Sequence, residues 1–275
     1  MKIRMEPTER LLTLTPDVET TLEAEGFFSA LYRPEQDRYP GKVLIVVSGM
    51  DGSYSLTRLI GEQFVSQGMT VLALAYWGRK GLPRQCSRIP LETVERAASW
   101  LRRQGYGKIG MWGISLGAVY ALLCGCALPE LLGCIVAVSP MDHGIQGVQR
   151  QDRWSREERQ LEGSAFAFRG QDVPYGPESP IPVERLNGPL LLLAADRDQV
   201  WPARQAAEAM VHRLRERNFL HPLQYEHYAV ASHYLLPCQI NARLVFPIER
   251  EQPEGCARSD RDAFEKTLRS LREQW

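Results

Sequence analysis

Short apolar runs alternate with amphipathic segments along most of the chain. Continuous apolar runs predict buried strands at 43–47, 70–75, 109–112, 132–139 and 189–195. Apolar residues at helical spacing predict helices over 55–67, 91–104, 118–124, 203–217 and 259–275. Strands that alternate with helices in this way predict an α/β fold, with a mostly parallel central sheet and helices on both faces.

Three regions depart from this alternation. Residues 27–34 predict an edge strand, and we expect its hairpin partner near residues 11–14. Residues 223–228 predict a strand at the other edge. Residues 141–188 contain closely spaced prolines, and we expect a lid-like insertion or pocket wall there, with a short charged helix over 151–161.

Length and charge narrow the class of protein. The 275 residues suffice for one large core, so we expect a single domain over residues 1–275. The 33 basic residues balance the 33 acidic ones, which gives no net attraction to nucleic acid or to an anionic membrane. No apolar run approaches the roughly 18 residues that span a bilayer, and the N-terminus has no apolar signal-peptide core. We expect a cytoplasmic protein that acts on a small molecule; the oligomeric state stays open.

Cofactor and metal motifs are missing from the sequence. The six cysteines lack the spacing of a zinc site and predict reduced, buried thiols. No glycine-rich dinucleotide motif or phosphate-binding loop follows a predicted strand, and no histidine and carboxylate cluster has ligand spacing. We expect neither a cofactor nor a metal.

The stretch Gly113-Ile-Ser-Leu-Gly117 lies between a predicted strand and an Ala- and Leu-rich helix. This context is typical of a nucleophile elbow, in which the serine hydroxyl stands clear of the sheet on a strained turn. The two glycines remove the side chains that such a turn would press against the backbone. Ser115 is therefore the candidate nucleophile.

A serine hydroxyl needs a base, and the base needs an orienting acid. Among the histidines, His233 alone follows the last predicted strand, in a loop at the expected carboxyl edge of the sheet. The acid is Asp196 or Asp198, since both lie in the turn after the strand at 189–195. Spacing alone leaves these two open.

Two backbone N–H groups are expected to form an oxyanion hole. One belongs to Leu116, directly after the candidate nucleophile, and the other to Met50, in the glycine-bearing loop after the first central strand. Three aromatic residues, Tyr76, Trp77 and Trp201, should lie near the mouth of the site. They either contact the substrate or serve only as packing.

The chain resembles the catalytic domain of the family of acyl-CoA thioesterases and bile acid-CoA:amino acid N-acyltransferases. The matching stretches cover most of residues 40–238, at 73–77, 89–92, 112–117, 169–175, 181–184, 188–194, 198–202, 213–214, 221–222 and 232–233. The resemblance implies an α/β-hydrolase fold and a triad of Ser115, Asp198 and His233. It thus favours Asp198, three residues before Trp201, over Asp196.

Three differences from the family pattern matter. The residue after the nucleophile is Leu116, where members of the family usually have lysine. Members that conjugate acyl groups to amino acids often use cysteine, so Ser115 favours transfer to water. About 40 residues precede the first central strand, too few for the β-sandwich domain of the animal enzymes.

These observations predict a serine hydrolase that cleaves an acyl ester or thioester, such as an acyl-CoA, through an acyl-enzyme on Ser115. The first alternative is a carboxylesterase, a dienelactone-type hydrolase or a small-peptide hydrolase that does not use CoA. The second is an acyltransferase or a non-catalytic binding module on the same fold.

Overall fold

The apolar runs form the central strands of one eight-stranded sheet. The computed structural model describes residues 11–150, 158–238, 240 and 242–275. Its strands are β1 (Val18–Thr20), β2 (Phe28–Tyr32), β3 (Lys42–Val47), β4 (Thr70–Ala75), β5 (Ile89–Pro90), β6 (Lys108–Ile114), β7 (Ile135–Val138), β8 (Gln146–Arg150), β9 (Glu158–Ser164), β10 (Phe166–Phe168), β11 (Gln171–Asp172), β12 (Leu190–Ala195) and β13 (Leu223–Tyr228). The large sheet has the order β1-β2-β4-β3-β6-β7-β12-β13.

The helices follow the predicted alternation. They are α1 (Tyr54–Ser66), α2 (Glu92–Arg103), α3 (Leu116–Ala127), α4 (Ala203–Glu216), α5 (Pro247–Glu251) and α6 (Pro253–Glu273). Ser53 caps α1 by accepting a hydrogen bond from the Leu56 N–H at 3.2 Å. The last helix begins earlier than the sequence indicates, and Ser259 lies inside α6, where its hydroxyl donates to the Val230 carbonyl at 2.6 Å.

The central strands carry apolar residues on both faces because both faces are covered. In β3, the side chains of Val43 and Ile45 belong to a core that also contains residues of α2, α3 and α4. The alternate residues Leu44 and Val46 belong to a second core with residues of α1 and α6. This two-sided burial explains why the strand reads as an uninterrupted β-branched run, and it confirms the predicted α/β class.

The six strands from β4 to β13 in the sheet order run parallel to one another. The loops that follow them therefore meet at the carboxyl edge of the sheet. The turns after β3, β6, β7, β12 and β13 lie along this edge, and they carry the chemistry-bearing residues described below.

Two local predictions were wrong. The edge hairpin forms, but the partner of β2 is β1, not residues 11–14. Glu62 of α1 is buried, and its carboxylate accepts the backbone N–H groups of Thr13 and Leu14, which draws that segment away from the sheet.

In the insertion, the predicted helix over 151–161 is replaced from residue 158 onward by β9, which pairs with β8; residues 151–157 lie outside the described residues.

All six cysteines are buried and free, as predicted. Each lies within the described residues, and burial raises the pKa of Cys134 to about 12, so its thiol stays neutral.

Every helix in the described part of the chain is too short or too polar to cross a lipid bilayer.

The contact between β6 and α3 depends on two glycines. A Cβ built on Gly113 would overlap the carbonyl oxygen of Gly117, and one built on Gly117 would overlap the carbonyl oxygen of Ser48. The start of α3 can therefore lie directly on β3 and β6 only while both positions lack a side chain.

We expect Gly113→Ala to lower the free energy of unfolding by about 1–3 kcal/mol, because the added methyl group forces α3 away from the sheet. Denaturant unfolding measures this. Gly107→Ala is the matched control, since a Cβ there meets nothing within 4 Å. Equal unfolding midpoints for the two variants would contradict the packing described.

Candidate active site

The turn from β6 to α3 holds Ser115 in a rare backbone conformation. Its φ is 58° and its ψ is −126°, a region that residues with a side chain seldom adopt. The Ser115 N–H donates to the Val138 carbonyl at the end of β7, at 2.9 Å. The side chain lies at the head of α3, where the first N–H groups and the helix dipole favour negative charge.

His233 and Asp198 form a buried pair at the same edge of the sheet. Nδ1 of His233 lies 2.7 Å from Oδ2 of Asp198, and both side chains are only 2% exposed. The second carboxylate oxygen, Oδ1, accepts the N–H groups of Val200 at 2.8 Å and Trp201 at 3.3 Å. The acid is thus held by its own turn and still presents one oxygen to the imidazole.

Asp196 is engaged elsewhere. Its Oδ1 lies 2.7 Å from Nδ1 of His227, and its Oδ2 lies 3.3 Å from the guanidinium of Arg204. His227 is 44% exposed, so this pair lies at the surface. Of the two acids that spacing leaves open, Asp198 is the one that contacts His233.

Ser139 connects the turn of Ser115 to the loop of His233. It follows β7 directly, and its hydroxyl donates to the His233 carbonyl at 2.8 Å. Its own carbonyl accepts the indole N–H of Trp201 at 2.9 Å, and the Trp201 and His233 rings meet edge-on at 5.5 Å. Sequence reasoning missed Ser139, although its place after a parallel strand is the same as that of Ser115.

Nε2 of His233 is buried and has no hydrogen-bond partner among the described residues. Nδ1 is occupied by Asp198. A neutral imidazole that donates through Nδ1 has an acceptor at Nε2, which is the form a general base requires.

The loop after β3 comes close to Ser115. A Cβ on Gly49 would lie 3.0 Å from the Ser115 Cβ and 3.4 Å from its hydroxyl oxygen. Met50 follows Gly49 in this loop, and Leu116 is the first residue of α3. The two elements expected to supply oxyanion donors are therefore adjacent; the donor roles themselves stay predictions.

A polar network fixes that loop. The Asp51 carboxylate accepts the Ser53 N–H at 2.6 Å, and burial raises the pKa of this carboxyl group. The Ser48 hydroxyl accepts from Thr57 at 3.0 Å, and its carbonyl accepts the Tyr76 hydroxyl at 2.8 Å. Several independent bonds thus hold the loop against Ser115.

Two of the three predicted aromatic residues are deeply buried. Tyr76 stacks on Tyr120 at 4.5 Å and supports the loop from below through its hydroxyl. Trp77 packs on Gly52, and its indole nitrogen has no hydrogen-bond partner in the described ranges. Trp201 is half-buried and contacts His233. Substrate contact by any of the three stays a prediction.

No group of three or more histidine, cysteine, aspartate or glutamate residues is placed to hold a metal ion in the parts of the chain that the structure describes.

Solved structures share this fold. A protein assigned as a dienelactone hydrolase from Klebsiella pneumoniae superposes with a TM-score of 0.63 at 19% identity, over 93% of this chain and 98% of that one. MGS-M1, an α/β hydrolase from a deep-sea metagenome library of the Medee basin, superposes with a TM-score of 0.58 at 15% identity, over 92% of this chain and 95% of that one. The predicted α/β-hydrolase fold is confirmed.

Curated relatives match at modest identity. Acyl-coenzyme A thioesterase 1 of Mus musculus is 27% identical over 245 residues, which cover 82% of this chain and 56% of that protein. Peroxisomal succinyl-coenzyme A thioesterase of Mus musculus is 26% identical over 218 residues, which cover 74% of this chain and 51% of that protein. Acyl-coenzyme A amino acid N-acyltransferase 1 of the same species is 28% identical over 194 residues, which cover 66% of this chain and 45% of that protein. The chain spans about half the length of these relatives.

The family model described as BAAT / Acyl-CoA thioester hydrolase C terminal matches residues 89–241, more than half of the chain. This range includes the turn of Ser115, the acid turn of Asp198 and the loop of His233. The chain belongs to the BAAT / acyl-CoA thioester hydrolase C-terminal family.

Proposed function

We propose that this chain hydrolyses an acyl thioester or ester through an acyl-enzyme on Ser115. The observation that carries the proposal is the buried His233–Asp198 pair, whose second ring nitrogen has no described partner, at the sheet edge where Ser115 lies on its strained turn. Family membership and relatives named as acyl-CoA thioesterases support the choice of reaction.

In the first half-reaction, the Ser115 hydroxyl oxygen attacks the acyl carbonyl carbon, and Nε2 of His233 takes the hydroxyl proton. Asp198 keeps the proton on Nδ1 and stabilises the imidazolium that forms. The tetrahedral intermediate collapses as the thiol or alcohol departs with the proton from Nε2. The acyl group is then an ester of Ser115.

In the second half-reaction, water gives a proton to Nε2 of His233 and attacks the same carbon. Collapse of the second intermediate returns the proton to Ser115 and releases the carboxylic acid. The N–H groups of Leu116 and Met50 receive the negative oxygen in both intermediates, where each donor contributes about 3–4 kcal/mol to transition-state stabilisation.

Water as the acceptor follows from the choice of nucleophile. The relatives include thioesterases and N-acyltransferases, and we expect a serine nucleophile, rather than a cysteine, to favour hydrolysis.

We propose the cytoplasm as the location of this protein; one relative is named as peroxisomal and another as mitochondrial.

The insertion over 141–188 acts as a pocket wall within the same domain. Its residues Phe168, Val173 and Ile181 line a cavity of about 540 Å³ together with Leu123 and Ala127 of α3. Leu123 lies eight residues after Ser115 on the helix, a rise of about 12 Å. Ser115, Asp198 and His233 are not among the residues that line this cavity, so we propose it for the far end of a long acyl chain.

The first test is turnover of an acyl-CoA and of a p-nitrophenyl ester with the same acyl group. We expect Ser115→Ala to reduce kcat roughly a million-fold for whichever compound the wild type cleaves, because no other group forms the acyl-enzyme. Undiminished turnover would refute the role of Ser115. The ratio of the two wild-type rates decides whether CoA is used.

The second test compares the two acids. Asp198→Asn should reduce kcat by roughly three to four orders of magnitude, because the imidazole loses its working tautomer. Asp196→Asn is the matched control. It should stay within about two-fold of wild type, since it breaks only a surface pair. Equal losses in the two variants would contradict the assignment of Asp198.

The third test fills the cavity. Leu123→Trp should lower kcat/KM for a dodecanoyl ester about ten-fold, because the indole occupies space that the chain needs. The same variant should leave an acetyl ester within about two-fold. Leu220→Trp, at a position that is 92% exposed, is the control. A uniform loss over all chain lengths would place the acyl group elsewhere.

A further inference from the structure

A buried glutamate and a partly buried aspartate lie behind the loop of His233 and have no part in the steps above. Glu249 of α5 is 8% exposed, and its Oε1 accepts the Ser232 hydroxyl at 2.6 Å. Asp260 of α6 is close enough for the Glu249 charge to affect its ionisation. Oδ1 of Asp260 is buried without a hydrogen-bond partner in the described part of the chain.

The Ser232 hydroxyl is fixed at both ends. It donates to Glu249, and its oxygen accepts the Tyr234 N–H at 3.1 Å. Ser232 has no exposed surface, so water cannot replace either partner. Because these bonds involve the residues on either side of His233, they restrain the backbone that carries the imidazole.

Helix α5 contacts the same loop through a second group. Phe246, at the start of α5, meets the Tyr234 ring edge-on at 4.9 Å and the His233 ring at 6.3 Å. The Cys256 thiol of α6 donates to the Ile248 carbonyl at 3.8 Å and links the two helices. Glu249 therefore projects from an element that is itself seated against the His233 loop.

The charges around this pair can be assigned. Burial and the charge of Glu249 raise the pKa of Asp260 to about 8, against a smaller opposing effect of Arg261. Burial raises the pKa of Cys256 on α6 to about 11 and that of Cys238 in the loop to about 12, so both thiols are neutral. The raised pKa leaves the Asp260 carboxyl group largely protonated at pH 7.

We propose that Glu249 is a positioning residue, which holds His233 in register with Ser115 through the Ser232 hydroxyl. The inference rests on the proposed function. Three separate restraints then define the base: Asp198 orients the ring, Ser139 holds the backbone carbonyl, and Glu249 holds the preceding residue. Substrate never touches Glu249; its effect on the rate is a matter of geometry.

Ionisation of Asp260 should disturb this restraint. Above pH 8 the Asp260 carboxyl group, whose Oδ1 is buried without a partner among the described residues, becomes charged, and this disfavours the packing of α6 on α5. Since the pKa is raised in the folded state, the protonated form is favoured by folding. Stability is therefore lost as pH rises from about 4 to about 8.

The experiment measures kcat and KM for a p-nitrophenyl ester from pH 6 to 10. Glu249→Ala should lower kcat roughly 10- to 100-fold at pH 7 with KM within two-fold. Glu249→Gln keeps an acceptor oxygen and should restore most of that loss. The double variant with Ser232→Ala should be no worse than Ser232→Ala alone, because that change already removes the bond to Glu249.

The pH profile separates positioning from general damage to the fold. Wild-type kcat should fall with a midpoint near pH 8, whereas Asp260→Asn should show no such fall. Glu251→Ala, an exposed carboxylate on the same short helix, is the matched control and should behave as wild type.

Additive losses in the double variant, or parallel alkaline limbs in Asp260→Asn and wild type, would overturn the inference. So would an unchanged kcat in Glu249→Ala while Ser115→Ala is inactive, and this result would leave the proposed function intact. If Ser115→Ala retains full activity, the proposed function fails instead.

Discussion

The positive φ of Ser115 is the constraint on which the site depends. A residue with a side chain in this region costs of order 1–3 kcal/mol, and the surrounding structure must supply that energy. Here β6 and α3 supply it, since both are buried and meet through two glycines without room for a methyl group. The serine is thereby fixed before any substrate binds.

Parallel strands explain how distant residues meet. Strands β6, β7 and β12 are neighbours about 4.8 Å apart, so the turns after them lie within about 10 Å of one another. Ser115, Ser139 and Asp198 each follow one of these strands, and the loop after β13 brings His233 into contact with Ser139 and Asp198. Residues that are far apart in the sequence therefore lie close together at the carboxyl edge of the sheet.

The acid turn shows how neighbouring carboxylates separate in role. Asp196 lies at the surface with His227 and Arg204, whereas Asp198 is nearly inaccessible and is held by two backbone N–H groups. A buried carboxylate is tolerable only when its oxygens are satisfied. The turn geometry provides that satisfaction for Asp198, and the second oxygen is then committed to the imidazole.

Local sequence patterns were enough to predict the central strands, most helices and the elbow. A strand that is buried on both faces gives an uninterrupted apolar run, and the elbow requires two closely spaced glycines. It could not choose between Asp196 and Asp198, since both occupy one turn. The strand expected at 11–14 failed because Glu62, some fifty residues away, takes its N–H groups. The Ser232–Glu249 bond escaped prediction for the same reason: a lone glutamate in a short helix carries no signal of its long-range partner.

Covalent labelling decides whether Ser115 is an activated nucleophile. The protein is treated with a fluorophosphonate at neutral pH, digested, and the modified peptide is sequenced by mass spectrometry. We expect a single phosphonylated residue, Ser115, and we expect the labelling to be suppressed when His233 is replaced by alanine. Label on another residue, or an unlabelled Ser115 in folded protein, would contradict it.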